Sequence, residues 1–567
     1  MQRRRNTEDD GKTPPPVRKE NAFAGVLGAG VLGAGVLLLV ALLGAQKAAA
    51  QASPGAQASP EGQSTTKRPP NIVLIMADDL GYNELGSYGQ DKIETPYLDR
   101  MAANGMRFTQ FYSGSPVCAP SRATLLTGQH TGHTYVRDNY GLGGYRDNEE
   151  QGQLPLPAST PTMATMLQDA GYATAAIGKW GLGGPGSEGL PSKHGFDYFY
   201  GYLDQKQAHN YYPTHLWRIT KEAAVWDTLD NEYFKPHVEL KDAPDDPTVY
   251  DSFKGTDYAP ALMHEETLRF IRRHRDEPFF LYRAPVIPHV ALQVPDTALA
   301  AYGFEEAPYL GQEGYLPHPR PLAAYAAMIS WMDRQVGEIL ALLKKLGLGE
   351  NTLVIFTSDN GTTYVGGVQA NFFDSVKPLR GLKGSVYEGG IRVPMIARWP
   401  GRVPEGATND RPGALWDLLP TFADVAGTDA PDDMDGVSLW PALQGEASGP
   451  GSSPEAAFGE RPPLYWEYYG LCNGQQAVRM GRWKAVRMNA GTPGRARIEL
   501  YDLEEDPAES NNVAPERPRV AQTMGEAMKK AHTPSPIERW HIEETGRRPR
   551  LAKRTPVHTC LPWTDEN

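Results

Sequence analysis

Four short segments of the chain are apolar and rich in β-branched or aromatic residues, and each gives way to polar residues. They are Asn71–Ala77, Ala173–Ile177, Phe279–Tyr282 and Asn351–Thr357. Continuous apolar runs of this length are typical of strands buried on both faces of a parallel sheet. Intervening segments such as Tyr325–Leu346 carry apolar residues at helical spacing. The alternation predicts an α/β fold with a large doubly wound, mostly parallel sheet flanked by helices.

Polar side chains follow two of these predicted strands directly. Asp78 and Asp79 come after the first strand, and Asp359 and Asn360 come after the fourth. In a doubly wound fold, ligands bind outside the carboxyl ends of the strands. Three carboxylates and an amide oxygen suit a hard divalent cation such as Ca²⁺ or Mg²⁺, and without one the carboxylates would repel one another. No Cys and His cluster has zinc-ligand spacing, so a soft-metal site is not expected.

The segment PVCAPSRATLLTG, from Pro116 to Gly128, places Cys118 and Arg122 four residues apart at the start of an apolar helical turn. It resembles the type I sulfatase family, the formylglycine-dependent, arylsulfatase-like branch of the alkaline phosphatase superfamily, in which the cysteine of a C-x-P-S-R motif is oxidised. The resemblance implies formylglycine at Cys118. One hydroxyl of the hydrated aldehyde would attack sulfur, and deprotonation of the other would expel sulfate.

The resemblance covers nearly the whole chain after residue 70. Four further segments match family motifs in the family order: Asn71–Tyr82, Gly171–Trp180, Ser358–Gly361 and Arg380–Pro394. They resemble, respectively, the first strand with its paired metal aspartates, the second sulfatase motif, the other half of the metal site, and the segment that supplies a second sulfate-binding lysine.

The matched positions imply a role for each site residue. A Ca²⁺ ion, with Mg²⁺ as the alternative, would be held by Asp78, Asp79, Asp359, Asn360 and the modified Cys118. Arg122 would hold the diol. Lys179 and Lys383 would pair with sulfate oxygens as point charges, and His289 would protonate the leaving alkoxide.

One position departs from the family pattern. The second motif commonly continues Lys-Trp-His, with the histidine bonded to the diol, whereas this chain has Gly181 after Trp180. Three histidines are candidates for the missing role: His130, His133 and His209. His209 lies in the segment Gly201–Trp217, whose aromatic and polar side chains suit a sugar ring, so it is also a candidate substrate-binding residue. A plain core segment is the alternative.

The N-terminus has the composition of an export signal. A basic opening, MQRRR, precedes the uncharged run Ala22–Ala45 and a stretch of small residues. This order predicts a signal peptide within residues 1–50, with an uncleaved membrane anchor as the alternative. Both place the rest of the chain outside the cytoplasm, as a periplasmic, secreted or membrane-anchored protein. Residues 51–70 are expected to form a flexible tether.

The remaining chain is expected to form two parts. Residues 71–445 would form the catalytic domain, residues 446–454 a linker, and residues 455–567 a smaller α+β subdomain with an antiparallel sheet. Trp466, Glu467 and Arg479 lie in its predicted strands, where packing is expected and substrate contact is the alternative. The three cysteines cannot all pair, and Cys472 and Cys560, which lie in no motif, are expected to be structural or free.

These observations predict an exported, calcium-dependent sulfatase that acts on a sulfated carbohydrate and is matured by a formylglycine-generating or sulfatase-maturing enzyme. With 56 Lys and Arg against 68 Asp and Glu, the net charge is −12, which argues against a nucleic-acid partner. Two alternatives stay open. One is a phosphate or phosphonate monoester hydrolase on the same fold, and the other is a surface protein that binds sulfated glycans without turnover.

Overall fold

The computed structural model describes residues 68–445, 461–492 and 495–542. The predicted signal or anchor segment, most of the tether, the predicted linker and Cys560 lie outside the described residues. Helices and strands alternate along the described chain, as the apolar pattern predicts.

The strands are β1 (Asn71–Ala77), β2 (Met106–Tyr112), β3 (Ala173–Lys179), β4 (Tyr198–Tyr202), β5 (His215–Thr220), β6 (Ala224–Thr228), β7 (Phe279–Ala284), β8 (Thr352–Ser358), β9 (Arg392–Arg398), β10 (Ala407–Asn409), β11 (Gly413–Ala414), β12 (Leu464–Tyr468), β13 (Gln475–Met480), β14 (Trp483–Met488) and β15 (Arg497–Asp502). The α-helices are α1 (Pro96–Ala103), α2 (Cys118–Thr127), α3 (Met163–Asp169), α4 (Ala259–Arg273), α5 (Asp296–Leu299), α6 (Pro321–Lys345), α7 (Glu388–Ile391), α8 (Leu418–Ala426), α9 (Trp440–Leu443) and α10 (Pro518–Ala531).

The first eleven strands form one sheet in the order β10-β2-β9-β8-β1-β7-β3-β4-β5-β6, with β11 also paired to β2. The central strands β8, β1, β7, β3 and β4 run parallel, and antiparallel pairs flank them on both sides. In this register Ile72 lies between Phe280 and Leu353. The predicted mostly parallel, doubly wound sheet is confirmed.

Strand β1 is buried along its whole length because helices cover both faces of the sheet. Val73 and Ile75 pack into the same core as Val336 of α6. On the opposite face, Leu74 packs into a second core with Phe422 of α8. The two cores hold the central strands in register, and this register brings their carboxyl ends to one edge of the sheet.

Strands β12 to β15 form a separate antiparallel sheet, in sequence order, which confirms the predicted C-terminal subdomain fold. Helix α10 packs on one face through Met524 and Met528, which share a core with Tyr465 and Leu500. The other face contributes Trp466 to a core that contains Tyr112 of the large sheet. The two sheets are therefore joined by shared apolar packing, although the predicted boundary between them lies among residues not described.

Three residues of this subdomain for which substrate contact is the alternative role, Trp466, Glu467 and Arg479, bond to other parts of the protein. The Trp466 indole donates to the Ser113 carbonyl at 2.9 Å, and Glu467 pairs with Arg137 at 2.5 Å. Arg479 donates to Tyr112. Cys472 is disulfide-bonded, and Cys118 is a free, buried thiol. Across the described ranges, the helices all lack the combined length and apolarity needed to span a bilayer.

Candidate active site

Cys118 is the first residue of α2, after the extended residue Val117. Its side chain is buried, and its Sγ lies 3.4 Å from Asp78 Oδ1 and 3.6 Å from Lys179 Nζ. The first backbone N–H groups of a helix have no partner within the helix and carry partial positive charge. Position 118 therefore combines a helix N-terminus with a buried lysine, an environment that favours an anion beside it.

Asp78 and Asp79 lie at the carboxyl end of β1 and are fully buried. Successive side chains of a strand point to opposite faces. Asp79 interrupts this alternation with a left-handed backbone conformation, φ 67°. Both carboxylates consequently approach Cys118, Asp78 at 3.4 Å and Asp79 at 3.8 Å from Sγ.

Asp359 and Asn360 follow β8, which pairs with β1 up to Ala77 and Ser358. The Asp79 backbone N–H donates to Asp359 Oδ1 at 3.1 Å. Asn360 Nδ2 donates to Asp79 Oδ1 at 2.8 Å. The four predicted oxygen-ligand residues are thus brought together at one edge of the sheet, as the parallel pairing requires.

Arg122 lies one turn into α2 and is fully buried. Its Nη2 pairs with Asp359 Oδ2 at 2.7 Å, and its Nη1 donates to the Lys179 carbonyl at 2.6 Å. The guanidinium therefore joins α2 to the ends of β8 and β3. In this geometry Arg122 positions the loops around Cys118.

The two predicted sulfate-binding lysines reach the site from different parts of the chain. Lys179 ends β3, and its Nζ lies 2.7 Å from Asp78 Oδ2. Lys383 belongs to the loop before α7, and its Nζ lies 2.7 Å from Asp79 Oδ2. The side chain of Lys383 is 15% exposed, whereas that of Lys179 is 1% exposed, so Lys383 is the more accessible to a ligand.

His289 follows β7, and its backbone carbonyl accepts a hydrogen bond from Tyr211 at 2.5 Å. Its Nδ1 lies 2.5 Å from the Val290 carbonyl and donates to it, which leaves Nε2 facing Asp79 Oδ2 at 3.7 Å. The His209 ring stacks on the His289 ring with centroids 5.2 Å apart. The structure thus brings both histidines to the aspartates and lysines.

Burial and mutual charge set the protonation states here. Burial raises the pKa of the Cys118 thiol well above its usual range, so the unmodified thiol stays protonated. Burial opposes the charged form of Asp78, but the charges of Lys179 and Arg122 hold its pKa below the usual range. Burial and the charges of Lys179 and Lys383 hold the pKa of His289 well below its usual value. The ring is therefore neutral in this environment.

A cavity of about 350 Å³ opens above these groups. The lining includes the basic side chains of Lys179, Lys383, His209 and His289 and the aromatic side chains of Tyr145, Tyr315, Tyr364 and Tyr468. His237, an aromatic neighbour that the sequence did not single out, lies against both Tyr145 and His209, at centroid distances of 4.6 and 5.7 Å. The cavity therefore combines cationic lysines with aromatic rings.

His130 and His133, two candidates for the role of the missing histidine, do not line this cavity. They form a separate cluster with Asp435, in which His133 Nδ1 lies 2.8 Å from Asp435 Oδ1. Of the three candidates, only His209 lies at the site. The residue whose side chain lies against Gly181 is Gln205, which the sequence did not single out because no motif surrounds it.

The donor set fits a metal ion. Asp78, Asp79, Asp359 and Asn360 are all fully buried, and Asn360 Oδ1 has no hydrogen-bond partner among the described residues. Donor atoms of Asp78, Asp79, Cys118 and His289 lie within 4.8 Å of one another. Converging carboxylates with an unused amide oxygen are the ligands that hard divalent cations take.

Comparison with known proteins agrees with this site. The Sulfatase family model matches residues 70–428, and the family model N-sulphoglucosamine sulphohydrolase, C-terminal, matches residues 382–533. The fold and the site define a hydrolase of the sulfatase class. Because the first match covers more than half of the chain, the chain belongs to the sulfatase family and is a sulfatase.

Individual relatives cover most of the chain. N-acetylgalactosamine-6-sulfatase of Canis lupus familiaris is 33% identical over 436 residues, which are 75% of this chain and 73% of the relative. Arylsulfatase A of Bos taurus is 33% identical over 490 residues, 81% of this chain and 86% of the relative. The crystal structure of Ps i-CgsB in complex with k-i-k-neocarrahexaose has a TM-score of 0.64 at 28% identity, covering 82% of this chain and 92% of that chain.

Proposed function

We propose that this sulfatase hydrolyses sulfate esters of a carbohydrate, using formylglycine made from Cys118 and a bound Ca²⁺ ion. The observation that carries the proposal is the position of Cys118 at the start of α2, with Asp78 at 3.4 Å and Lys179 at 3.6 Å from its Sγ. A nucleophile at this position lies between an ammonium group that binds an anion and a carboxylate that binds a cation.

The ion would be held by Asp78, Asp79, Asp359 and Asn360 together with the modified side chain at 118, and Mg²⁺ is the alternative. A divalent cation supplies Lewis-acid stabilisation of negative charge on sulfate oxygens and lowers the pKa of a hydroxyl bound to it. All of these ligand residues lie at the ends of β1 and β8 and the start of α2, so the framework of the sheet fixes their spacing.

Formylglycine supplies a hydrated aldehyde, whose hydroxyl is the nucleophile that a protonated thiol cannot provide. Arg122 holds the diol at position 118 and also joins the surrounding loops through Asp359 and the Lys179 carbonyl. Lys179 and Lys383 bind sulfate oxygens as ammonium groups. Negative charge bound between them raises the pKa of His289, whose Nε2 then donates a proton to the leaving alkoxide oxygen.

The carbohydrate substrate is supported by the walls of the cavity. The rings of Tyr145, Tyr315, Tyr364 and Tyr468 offer faces on which a sugar can pack, and His209 and Lys206 add polar groups. Two structural relatives were solved with carbohydrate ligands, one with k-i-k-neocarrahexaose and one with D-glucosamine-2-N,6-O-disulfate, described as its substrate. We propose a substrate of the same chemical class, with His209 at the sugar.

We also propose that the protein is exported, on the basis of its N-terminal sequence. Signal-peptide cleavage or membrane anchoring by residues 1–50 would leave residues 71–445 and 455–567 as the catalytic domain and C-terminal subdomain outside the cytoplasm. A formylglycine-generating or sulfatase-maturing enzyme would act on Cys118.

Peptide mass spectrometry across Cys118, on protein from a host able to make formylglycine, tests the proposal. The expected result is a loss of about 18 Da at this residue, together with sulfate release from an aryl sulfate and from a panel of sulfated sugars. A Cys118→Ala variant provides the matched control. An unmodified Cys118, with a control sulfatase converted in the same cells, would overturn the formylglycine mechanism.

Matched aryl sulfate and aryl phosphate substrates test the reaction class. The fold alone does not separate tetrahedral anions, since the phosphonate monoester hydrolase of Agrobacterium radiobacter also resembles this chain, with a TM-score of 0.56 at 22% identity. We expect a higher kcat/KM for the sulfate. A preference for the phosphate would instead favour the phosphomonoesterase alternative.

A further inference from the structure

Gln205 is a buried glutamine beside the reacting groups that no motif identifies. It follows β4, its side chain lines the same cavity as Lys179, Lys383 and His289, and the residue is only 6% exposed. Its Nε2 has no hydrogen-bond partner among the described residues. A buried amide N–H without a partner is unfavourable unless a ligand or water satisfies it.

The backbone around this amide is held firmly. The Gln205 N–H donates to Gln153 Oε1 at 2.9 Å. Gln153 Nε2 in turn donates to Asp204 Oδ1 at 3.0 Å, and the other Asp204 oxygen accepts from the Gly152 N–H at 2.9 Å. These contacts hold the loop, so the backbone of Gln205 is fixed beside the cavity that the residue lines.

Because residue 181 is a glycine and has no side chain, the Gln205 side chain can occupy the space beside it. The Gly181 N–H donates to the Leu203 carbonyl at 3.2 Å, which ties the segment after Lys179 to the loop carrying Gln205. A Cβ at position 181 would lie 2.4 Å from Gln205 Nε2 and 2.9 Å from its Cγ, and φ there is 78°. A side chain at 181 and the present position of Gln205 are therefore mutually exclusive.

We propose that Gln205 is a catalytic-site residue whose side-chain amide donates a hydrogen bond to an oxygen at the reacting end of the cavity. The acceptor belongs either to the bound sulfate group or to the hydroxyls at position 118. Gln205 thereby supplies, from the loop after β4, the donor that position 181 lacks. This inference rests on the proposed function for its setting, but the binding measurement below tests it separately.

The test compares Gln205→Met, which keeps the length and removes the amide, with Gln205→His, which keeps a donor. Gln335→Met is the matched control, because Gln335 is equally buried at 5% and its Nε2 donates to the Pro260 carbonyl, away from the cavity. The readouts are kcat and KM on an aryl sulfate across pH, and binding of inorganic sulfate by calorimetry.

We expect Gln205→Met to lose about 10²-fold in kcat/KM, the usual effect of removing one donor to a developing oxyanion, and Gln205→His to recover part of it. Weaker sulfate binding in Gln205→Met identifies the sulfate oxygen as the acceptor. Unchanged sulfate binding with a lower kcat and an altered pH profile identifies the oxygen at 118. If Gln205→Met matches Gln335→Met in both measurements, the inference is overturned.

The two proposals fail in different ways. If the wild-type protein releases no sulfate, the proposed function fails and the hydroxyls at position 118 are no longer a candidate acceptor, so sulfate binding alone decides the role of Gln205. Weaker binding in Gln205→Met than in Gln335→Met would still support it, and equal binding would overturn it. If the wild type is active and Gln205→Met is equally active, only the Gln205 inference fails.

Discussion

Arg122 and Asp359 form a buried ion pair, with Nη2 and Oδ2 2.7 Å apart, that ties the helix carrying Cys118 to the end of β8. Both side chains are at most 1% exposed. A buried pair of this kind contributes little net stability as a pair, yet removing one partner leaves an uncompensated charge in the interior. The pair therefore makes the geometry at Cys118 depend on a contact between residues 237 positions apart in sequence.

Replacing Arg122 should destabilise the protein as well as inactivate it. We expect Arg122→Ala to lower the free energy of unfolding of the metal-free protein by about 3–5 kcal/mol, because Asp359 would lose the guanidinium that pairs with it. Urea denaturation measures the change. The control is Arg275→Ala, whose side chain is 59% exposed and pairs with Asp276 at the surface, where a loss of at most about 1 kcal/mol is expected. Equal stability of the two variants would contradict the prediction.

Neutralising either lysine should reduce turnover. We expect Lys383→Ala and Lys179→Ala each to lower kcat/KM on an aryl sulfate by about 10²- to 10³-fold, because each removes a charge aimed at the sulfate oxygens. Exposed Lys193 provides the control, since Lys193→Ala changes the same charge away from the cavity. Activity of Lys383→Ala within threefold of wild type would remove this lysine from the proposed mechanism.

Metal removal should lower stability, because a ligand that binds the folded state stabilises it by about 2.7 kcal/mol at a hundred times its Kd. We expect a chelator to abolish activity and lower the unfolding temperature, and Ca²⁺ to restore both. Asp79→Asn should lose the Ca²⁺-dependent gain in unfolding temperature. Asp435→Asn should keep it, because Asp435 belongs to the separate His130 and His133 cluster. The reverse result would place the ion at that second cluster.

The contact between the two sheets should respond to pH. Lys484 lies 2.9 Å from both Glu388 and Glu509, and all three side chains are fully buried. Burial and the charge of Glu388 raise the pKa of Glu509 from 4.5 to about 7, despite Lys484. Burial opposes the charge of Glu388 too, but Lys484 and Arg392 lower its pKa to about 2.

Between pH 4.5 and 7 the folded state therefore binds a proton at Glu509 that the unfolded state does not bind. Because the folded state holds the extra proton, the contribution of Glu509 to the free energy of unfolding falls as pH rises through this window. The pKa of Glu388, about 2, lies below this pH window, so Glu388 stays charged throughout it. We expect wild type to lose up to about 3 kcal/mol relative to Glu509→Gln between pH 5 and 8, measured by urea denaturation. Exposed Glu405→Gln is the control. If the free energy of unfolding changes with pH in the same way for wild type and Glu509→Gln, the raised pKa of Glu509 is contradicted.

Much of the metal-ligand arrangement follows from sequence because it depends on local pattern. Apolar runs of seven residues predict buried parallel strands, and parallel strands bring their carboxyl ends to one edge. Because β1 and β8 are parallel neighbours, their carboxyl ends bring together Asp78, Asp79, Asp359 and Asn360. The motif around Cys118 is likewise one continuous segment, Pro116 to Gly128, so its resemblance to sulfatases is visible without a structure.

The tertiary structure decided what depends on contacts between distant segments. Lys383 reaches Asp79 on a loop that the C-terminal sheet supports, since Gln475 donates to the Gly384 carbonyl at 2.8 Å. His130 and His133 were placed away from the cavity, and Gln205 was placed in the space beside Gly181. Side-chain packing between segments is set by the three-dimensional register of sheets and loops, which short-range sequence periodicity does not encode.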